Sequence, residues 1–151
     1  MTAAPGGSAG ANGPSFAATF FRYWLPVLAY IGLIFSLSSI KGSDLPGGFP
    51  NLDKIVHLLE YSLLGLLIGR AIRFTLAEKG MKVAAIVTVF LGAAIGVADE
   101  LYQRRVPERS SDVRDWIVDV TAVALSVLLT QWVSTRALRA KAARRAEEGT
   151  I

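Results

Sequence analysis

Apolar and polar positions fall in long blocks along this chain. Four apolar stretches are bounded by charge: Tyr23–Ile40 between Arg22 and Lys41, Ile55–Gly69 between Lys54 and Arg70, Val83–Ala98 between Lys82 and Asp99, and Val120–Thr135 between Asp119 and Arg136. Each predicts a transmembrane helix. The last three contain only 15 or 16 residues. At about 1.5 Å per residue they rise roughly 24 Å, short of a hydrocarbon core of about 30 Å. Each helix must therefore draw neighbouring polar residues into the membrane. The first block has no basic run before it apart from Arg22 and no small-x-small motif after it, so it reads as a span and not as a cleaved leader.

Short connections make the chain run up, down, up, down. One side then carries the segments 41–54 and 104–115, and the other carries both tails and the segment 70–82. The second side holds ten Lys or Arg (22, 70, 73, 79, 82, 136, 139, 141, 144, 145) against six on the first (41, 54, 104, 105, 109, 114). That excess predicts a multi-pass protein of the cytoplasmic (inner) membrane with both termini in the cytoplasm. Residues 1–21 read as a disordered tail, since Met1–Ser15 carries no charge and is rich in Ala, Gly, Pro and Ser. Residues 22–135 form the four-helix domain. Residues 136–151 form a basic cytoplasmic tail, an Ala-rich helical extension whose charges pin the last helix to an anionic leaflet. The predicted fold is all-α, a four-helix transmembrane bundle. Gly65-x-x-x-Gly69 and Gly92-x-x-x-Gly96 allow close helix approach. Tyr23, Trp24 and Trp132 suit one interfacial aromatic belt and Trp116 the other.

Composition agrees with lipid as the solvent. Of 151 residues 52% are apolar and 19% charged, and the mean hydropathy is +0.45, more than one small core can hide from water. This argues against a free-standing cytosolic enzyme. No cysteine is present, which excludes disulfides, thiolate nucleophiles and Cys-based metal sites. A single histidine excludes a multi-His metal cage. The net charge of +4 resides at the edges of apolar blocks, so membrane lipids and not nucleic acid are the expected partners.

Polar residues within the spans gather at one end, the extracytoplasmic one. Asp53, Lys54, His57, Glu60 and Tyr61 occupy a sector of roughly 120° on the second helix at 100° per residue. Asp99, Glu100 and Gln103 close the third helix on its Gly92/Gly96 side. Asp112, Asp115 and Asp119 share a face of the fourth by their spacing of three and four, and Ser36, Ser38 and Ser39 end the first at the same level. Asp53, Asp112 and Asp115 have a structural explanation as first-turn carboxylates or caps. Asp99 and Glu100 sit at a helix C-terminus, where the dipole disfavours them, and Glu60 and Asp119 lie a turn or more inside the membrane. An ionised acid there costs about 2.5 to 3.5 kcal/mol on insertion scales. Pairing with Lys54, His57, Arg104, Arg105, Arg109 or Arg114 would offset this. Because buried ion networks are weak evidence for stability alone, the cluster reads as a functional pocket.

His57 is the one group suited to proton exchange near neutrality, three residues before Glu60 on the same face. His57 and Glu100 are the catalytic candidates. His57 with Glu60, Asp99 and Glu100 could hold a cation, but His-x-x-Glu is a common spacing, and neither a metal nor a cofactor is assigned. No phosphate-cradling glycine loop or nucleophile elbow occurs.

Together, Trp24-x-Pro26, Leu37-Ser38-Ser39, Asp53-Lys54-x-x-His57-x-x-x-Tyr61-x-x-x-Gly65, Asp99-Glu100-x-x-Gln103 and Val106-Pro107-x-Arg109-x-x-Asp112-x-x-Asp115 resemble the VanZ-like membrane proteins over roughly residues 22 to 130. Two departures stand out. Glu108 follows the proline where the family has Gly, and Asp119 and Ala122 replace an Asn-x-x-Gly, which bears on how closely the fourth helix packs. The resemblance implies a small integral membrane protein, with name-giving members linked to low-level resistance to teicoplanin. It implies no reaction.

The leading expectation is a ligand-binding pocket of Asp53, Lys54, His57, Glu60, Tyr61, Asp99, Glu100, Gln103, Arg109, Asp112 and Asp115. Its ligand would be an amphiphilic envelope molecule, such as a lipid-linked wall precursor or a lipoglycopeptide. Arg104, Arg105, Arg109 and Arg114 would engage its anionic head group. The alternatives are a membrane-embedded hydrolase or transferase using His57 and Glu100, and a non-catalytic assembly protein braced by its ion pairs.

Overall fold

The structure is a computed structural model that describes residues 15–44 and 51–148, and is all-helical with no strand among those residues. Helix α1 (Phe16–Thr19), a π turn (Phe20–Trp24) and α2 (Leu25–Ser38) make the first span. Helices α3 (Leu52–Thr75), α4 (Gly80–Gln103) and α5 (Val113–Glu148) follow. All four spans are long and apolar enough to cross a membrane. At 24 residues each, α3 and α4 rise about 36 Å, enough for a hydrocarbon core of about 30 Å. Their extra length comes from polar residues at their ends, as the shortfall in the apolar blocks requires.

The first span begins upstream of its expected start. Phe16–Phe21, placed in the disordered tail by the sequence reading, is helical, and the Ser15 hydroxyl caps it by accepting the Ala18 backbone N–H at 3.2 Å. Residues 1–14 of that tail lie outside the described residues. The π turn precedes Pro26, which has no N–H to give the Arg22 carbonyl and whose ring would crowd it, so the turn widens and Leu25 bonds back to Phe20.

Glycines set the closest packing. A Cβ on Gly92 would meet Val123 Cγ2 at 2.7 Å, and one on Gly65 would meet Val123 Cα at 3.0 Å and Ser126 Cβ at 3.1 Å. Thus α5 lies tightly against both α3 and α4, with Ala122 and Val123 fully buried. Ala122 in place of glycine leaves this close packing intact. Tyr61, Leu64 and Ile68 of α3 and Val27 and Ile34 of α2 complete the core. Large apolar side chains face outward around the bundle, Phe90 at 71% and Ile86 at 69% exposed, a surface suited to lipid and not to water.

Two sets of bonds fix the ends. Trp24 Nε1 donates to Thr75 Oγ1 at 3.2 Å, Tyr23 stacks on Phe74, and Arg73 donates to Ser134 at 3.2 Å, all at the end carrying the termini. At the opposite, loop end, the Gly42 N–H donates to the Pro107 carbonyl and the hydroxyls of Ser39 and Tyr102 lie 2.8 Å apart. Trp116 departs from its expected role as an interfacial anchor: its indole N–H is spent inside the bundle on the Ala93 carbonyl at 3.0 Å.

Candidate functional site

The inner layer at the loop end is built from three helices. His57 and Tyr61 come one turn apart from α3, their rings near-parallel with centroids 6.2 Å apart. Asp99, Glu100 and Gln103 come from the last turn of α4, and Asp115 and Asp119 from the first two turns of α5. All seven are buried. The close approach at Gly96, where a Cβ would meet Asp119 Oδ2 at 3.1 Å, lets the Asp119 carboxylate sit between α4 and α5.

Nδ1 of His57 lies 2.9 Å from Oδ1 of Asp119. Gln103 donates to Asp99 Oδ2 at 3.2 Å and, at a long 3.5 Å, to the buried Ser38 hydroxyl of α2. The Asp112 backbone N–H donates to Glu100 Oε2 at 3.0 Å, with Ser111 beside the same carboxylate. Four buried oxygens keep no hydrogen-bond partner among the described residues: Tyr61 Oη, Asp99 Oδ1, Glu100 Oε1 and Asp119 Oδ2. Buried polar atoms are ordinarily satisfied, so four orphans in one layer set it apart from an ordinary packed core.

The outer layer is ionic and wetter. Lys54 donates to Asp115 at 2.9 Å and to Asp53 at 3.0 Å. Asp112 caps α5, its side chain accepting the Arg114 backbone N–H at 2.9 Å. Glu60 is half-buried and has no hydrogen-bond partner among the described residues.

Arg109 stands apart from the acids. Its guanidinium donates to the backbone carbonyls of Ile40 at 3.2 Å and Leu37 at 3.3 Å, closing the open end of α2. Arg104, Arg105 and Arg114 are exposed and bond to no acid among the described residues. The expected neutralisation of the buried acids by arginine is therefore not what holds this layer. A helix C-terminus leaves carbonyls without partners, and these compete successfully for Arg109.

Asp119 was absent from the expected ligand set, yet it is the direct partner of the one histidine. Its spacing from Asp112 and Asp115 carried the signal. Ser38 joins the layer from the first span.

Between α3 and α5, on the lipid-facing side of the Lys54 pair, runs a cleft of about 280 Å³ lined by Asn51, Lys54, Ile55, Leu58, Ile117, Val118 and Thr121. It is apolar along its walls, and the Lys54 ammonium at its end is paired with Asp53 and Asp115.

Comparison with known proteins gives one match. A family model described as VanZ/LLP1 covers residues 12–134, and no curated protein and no solved structure matches the chain. The match takes in every helix that shapes the polar layer, and the chain is a VanZ-like membrane protein belonging to the VanZ/LLP1 family.

Proposed function

We propose that this protein binds an amphiphilic molecule of the cell envelope, a lipid-linked wall precursor or a lipoglycopeptide, at the loop end of the bundle. The loop end faces outward from the inner membrane, with both termini in the cytoplasm. The cleft between α3 and α5 carries this reading. Its apolar walls at Ile55, Leu58, Ile117 and Val118 suit an acyl or prenyl chain, and the Lys54 ammonium, which donates to Asp53 and Asp115, keeps a third N–H for a head-group oxygen. Arg104, Arg105 and Arg114 add exposed positive charge at the same end. Asp53 and Asp115 hold Lys54 in place, while His57, Tyr61, Asp99, Glu100, Gln103 and Asp119 stand buried behind it.

Native mass spectrometry of the protein in lipid nanodiscs, with a polyprenyl pyrophosphate as the probe, tests the reading. Wild-type protein retains the probe, and both Leu58→Trp, which fills the cleft, and Lys54→Ala, which removes the donor, lose it. Equal retention by all three would overturn the assignment. In cells, the same variants reduce teicoplanin tolerance while remaining inserted.

A second reading draws on the His57–Asp119 pair. A carboxylate orienting an imidazole beside Glu100 is the arrangement of a general base, which favours a membrane-embedded hydrolase or transferase. Turnover by purified protein that disappears in His57→Ala is its test.

A further inference from the structure

We propose that His57, Glu100 and Asp119 form a binding site for a divalent transition-metal ion where α3, α4 and α5 meet. One potential ligand atom from each residue lies within 4.8 Å of the other two. Three ligand atoms each about 2.1 Å from one ion stand about 3.0 to 3.6 Å from one another, so an inward movement of up to roughly 0.7 Å per atom closes the three around an ion.

Three observations beyond proximity support the site. All three residues are buried, at 5%, 6% and 0% exposure, and Glu100 Oε1 and Asp119 Oδ2 have no hydrogen-bond partner among the described residues. Buried carboxylate oxygens without donors are costly, and a cation satisfies both at once. Next is charge. Asp99, Glu100 and Asp119 are gathered around a single imidazole, and among the described residues neither lysine nor arginine bonds to any of them. Lys54 is engaged by Asp53 and Asp115. A doubly charged ion supplies the missing positive charge. The last is outer support. The Asp112 N–H fixes Glu100 through its other oxygen, and the ring of Tyr61 lies against His57, so the ligands are held by neighbours as metal ligands usually are.

One imidazole nitrogen with two carboxylate oxygens is a mixed donor set. It matches Mn²⁺, Fe²⁺ or Zn²⁺ better than the all-oxygen shells of Mg²⁺ or Ca²⁺. The inference is independent of the envelope-ligand reading, because the cleft and Lys54 play no part in it.

Chelator-stripped full-length protein in nanodiscs, titrated with Mn²⁺ and followed by the loss of the free-ion electron paramagnetic resonance signal, provides the test. One ion per chain is expected. Affinity falls by at least about tenfold in Glu100→Gln, in Asp119→Asn and in His57→Gln. Glu108→Gln, an exposed acid at the same end, leaves it unchanged. Zn²⁺ displaces Mn²⁺ competitively at the same site. Monodisperse elution and unchanged helical circular dichroism identify which variants are folded, and any one folded ligand variant suffices for the comparison. No saturable binding to the wild type, or binding equally strong in a folded ligand variant, would overturn the site.

Discussion

His57 and Asp119, 62 residues apart in sequence, meet at 2.9 Å in the interior of the bundle with 5% and 0% of their surfaces exposed. The pair ties α3 to α5 at the depth where the polar layer is driest. Replacing Asp119 by Leu leaves a buried imidazole without its partner and should cost about 1–3 kcal/mol. Asp119→Asn keeps a hydrogen-bonding group of the same shape and should cost less than about 1 kcal/mol. Unfolding of both variants in mild detergent measures the difference, and equal losses would show that the hydrogen bond is not what matters.

Glu108 adopts φ 60° in the left-handed region, which favours glycine. Its backbone oxygen would lie 1.8 Å from a Cβ on Gly42, and its side chain accepts the Ser43 backbone N–H at 3.1 Å. Both Glu108→Gly and Glu108→Ala lose that side-chain bond, but only alanine keeps the backbone strain. The glycine variant should be more stable than the alanine variant by about 1 kcal/mol. Gly42→Ala should separate the two loops and lower stability more than either.

Glycines in this bundle divide by what faces them. Gly65→Ala and Gly92→Ala press a methyl group onto Val123 and should cost about 1–3 kcal/mol. Gly32, with nothing within 4 Å, stands on the outer face of α2, and Gly32→Ala should gain about 1 kcal/mol through helix propensity. Adding Val123→Ala should recover part of the loss in Gly92→Ala and little of that in Gly65→Ala, where the backbone of residue 123 is the obstacle. Thermal melts of the set decide the matter.

Arg109 fastens the first span. A chain without native cysteines allows Ser38→Cys, buried at the end of α2, to report on this. Its thiol should react slowly with a small maleimide in the otherwise unchanged protein and several times faster when Arg109→Ala is added, since two bonds to the Leu37 and Ile40 carbonyls are then lost. Unchanged reactivity would mean that packing alone holds α2.

Single cysteines also test the placement of the loops. Asp53→Cys and Glu108→Cys should be labelled by an impermeant reagent from one face of the membrane, and Glu78→Cys, in the turn between α3 and α4, from the other. Labelling of residues 53 and 108 from opposite faces would dismantle the polar layer.

The charge-bounded apolar blocks located the middle of every span, and their shortfall in length foretold the polar turns at the ends of α3 and α4, but the start of the first span was missed. Arg22 looked like a boundary, although Phe16–Phe21 upstream is apolar and Ser15 is a suitable cap. Asp99 and Asp119 bound apolar blocks, and helical spacing already placed them on the helices beyond those bounds; the bundle turns them inward and the helices run through. The shared face of Asp53, His57 and Tyr61 was readable from helical spacing. Their pairing across helices was not, because rotation of α5 is set by contacts of Val123 with Gly65 and Gly92, which appear only when three helices are assembled. Arg109 misled for a related reason: its charge suggested an acid partner, but carbonyls at the end of α2 were closer.

Helix α5 is unbroken from Val113 to Glu148, 36 residues, or about 54 Å at 1.5 Å per residue. A bilayer core of about 30 Å takes up little more than half of that length. The remainder is a stiff rod, and only Arg136 and Arg139 near its base can stay close to lipid head groups. Arg144 and Arg145 lie further out along the helix than Arg136 and Arg139, where attraction to an anionic leaflet, with a decay length of about 8 Å at physiological salt, is weaker. A pair of guanidinium groups is thereby carried well past the apolar part of the last span on one continuous helix.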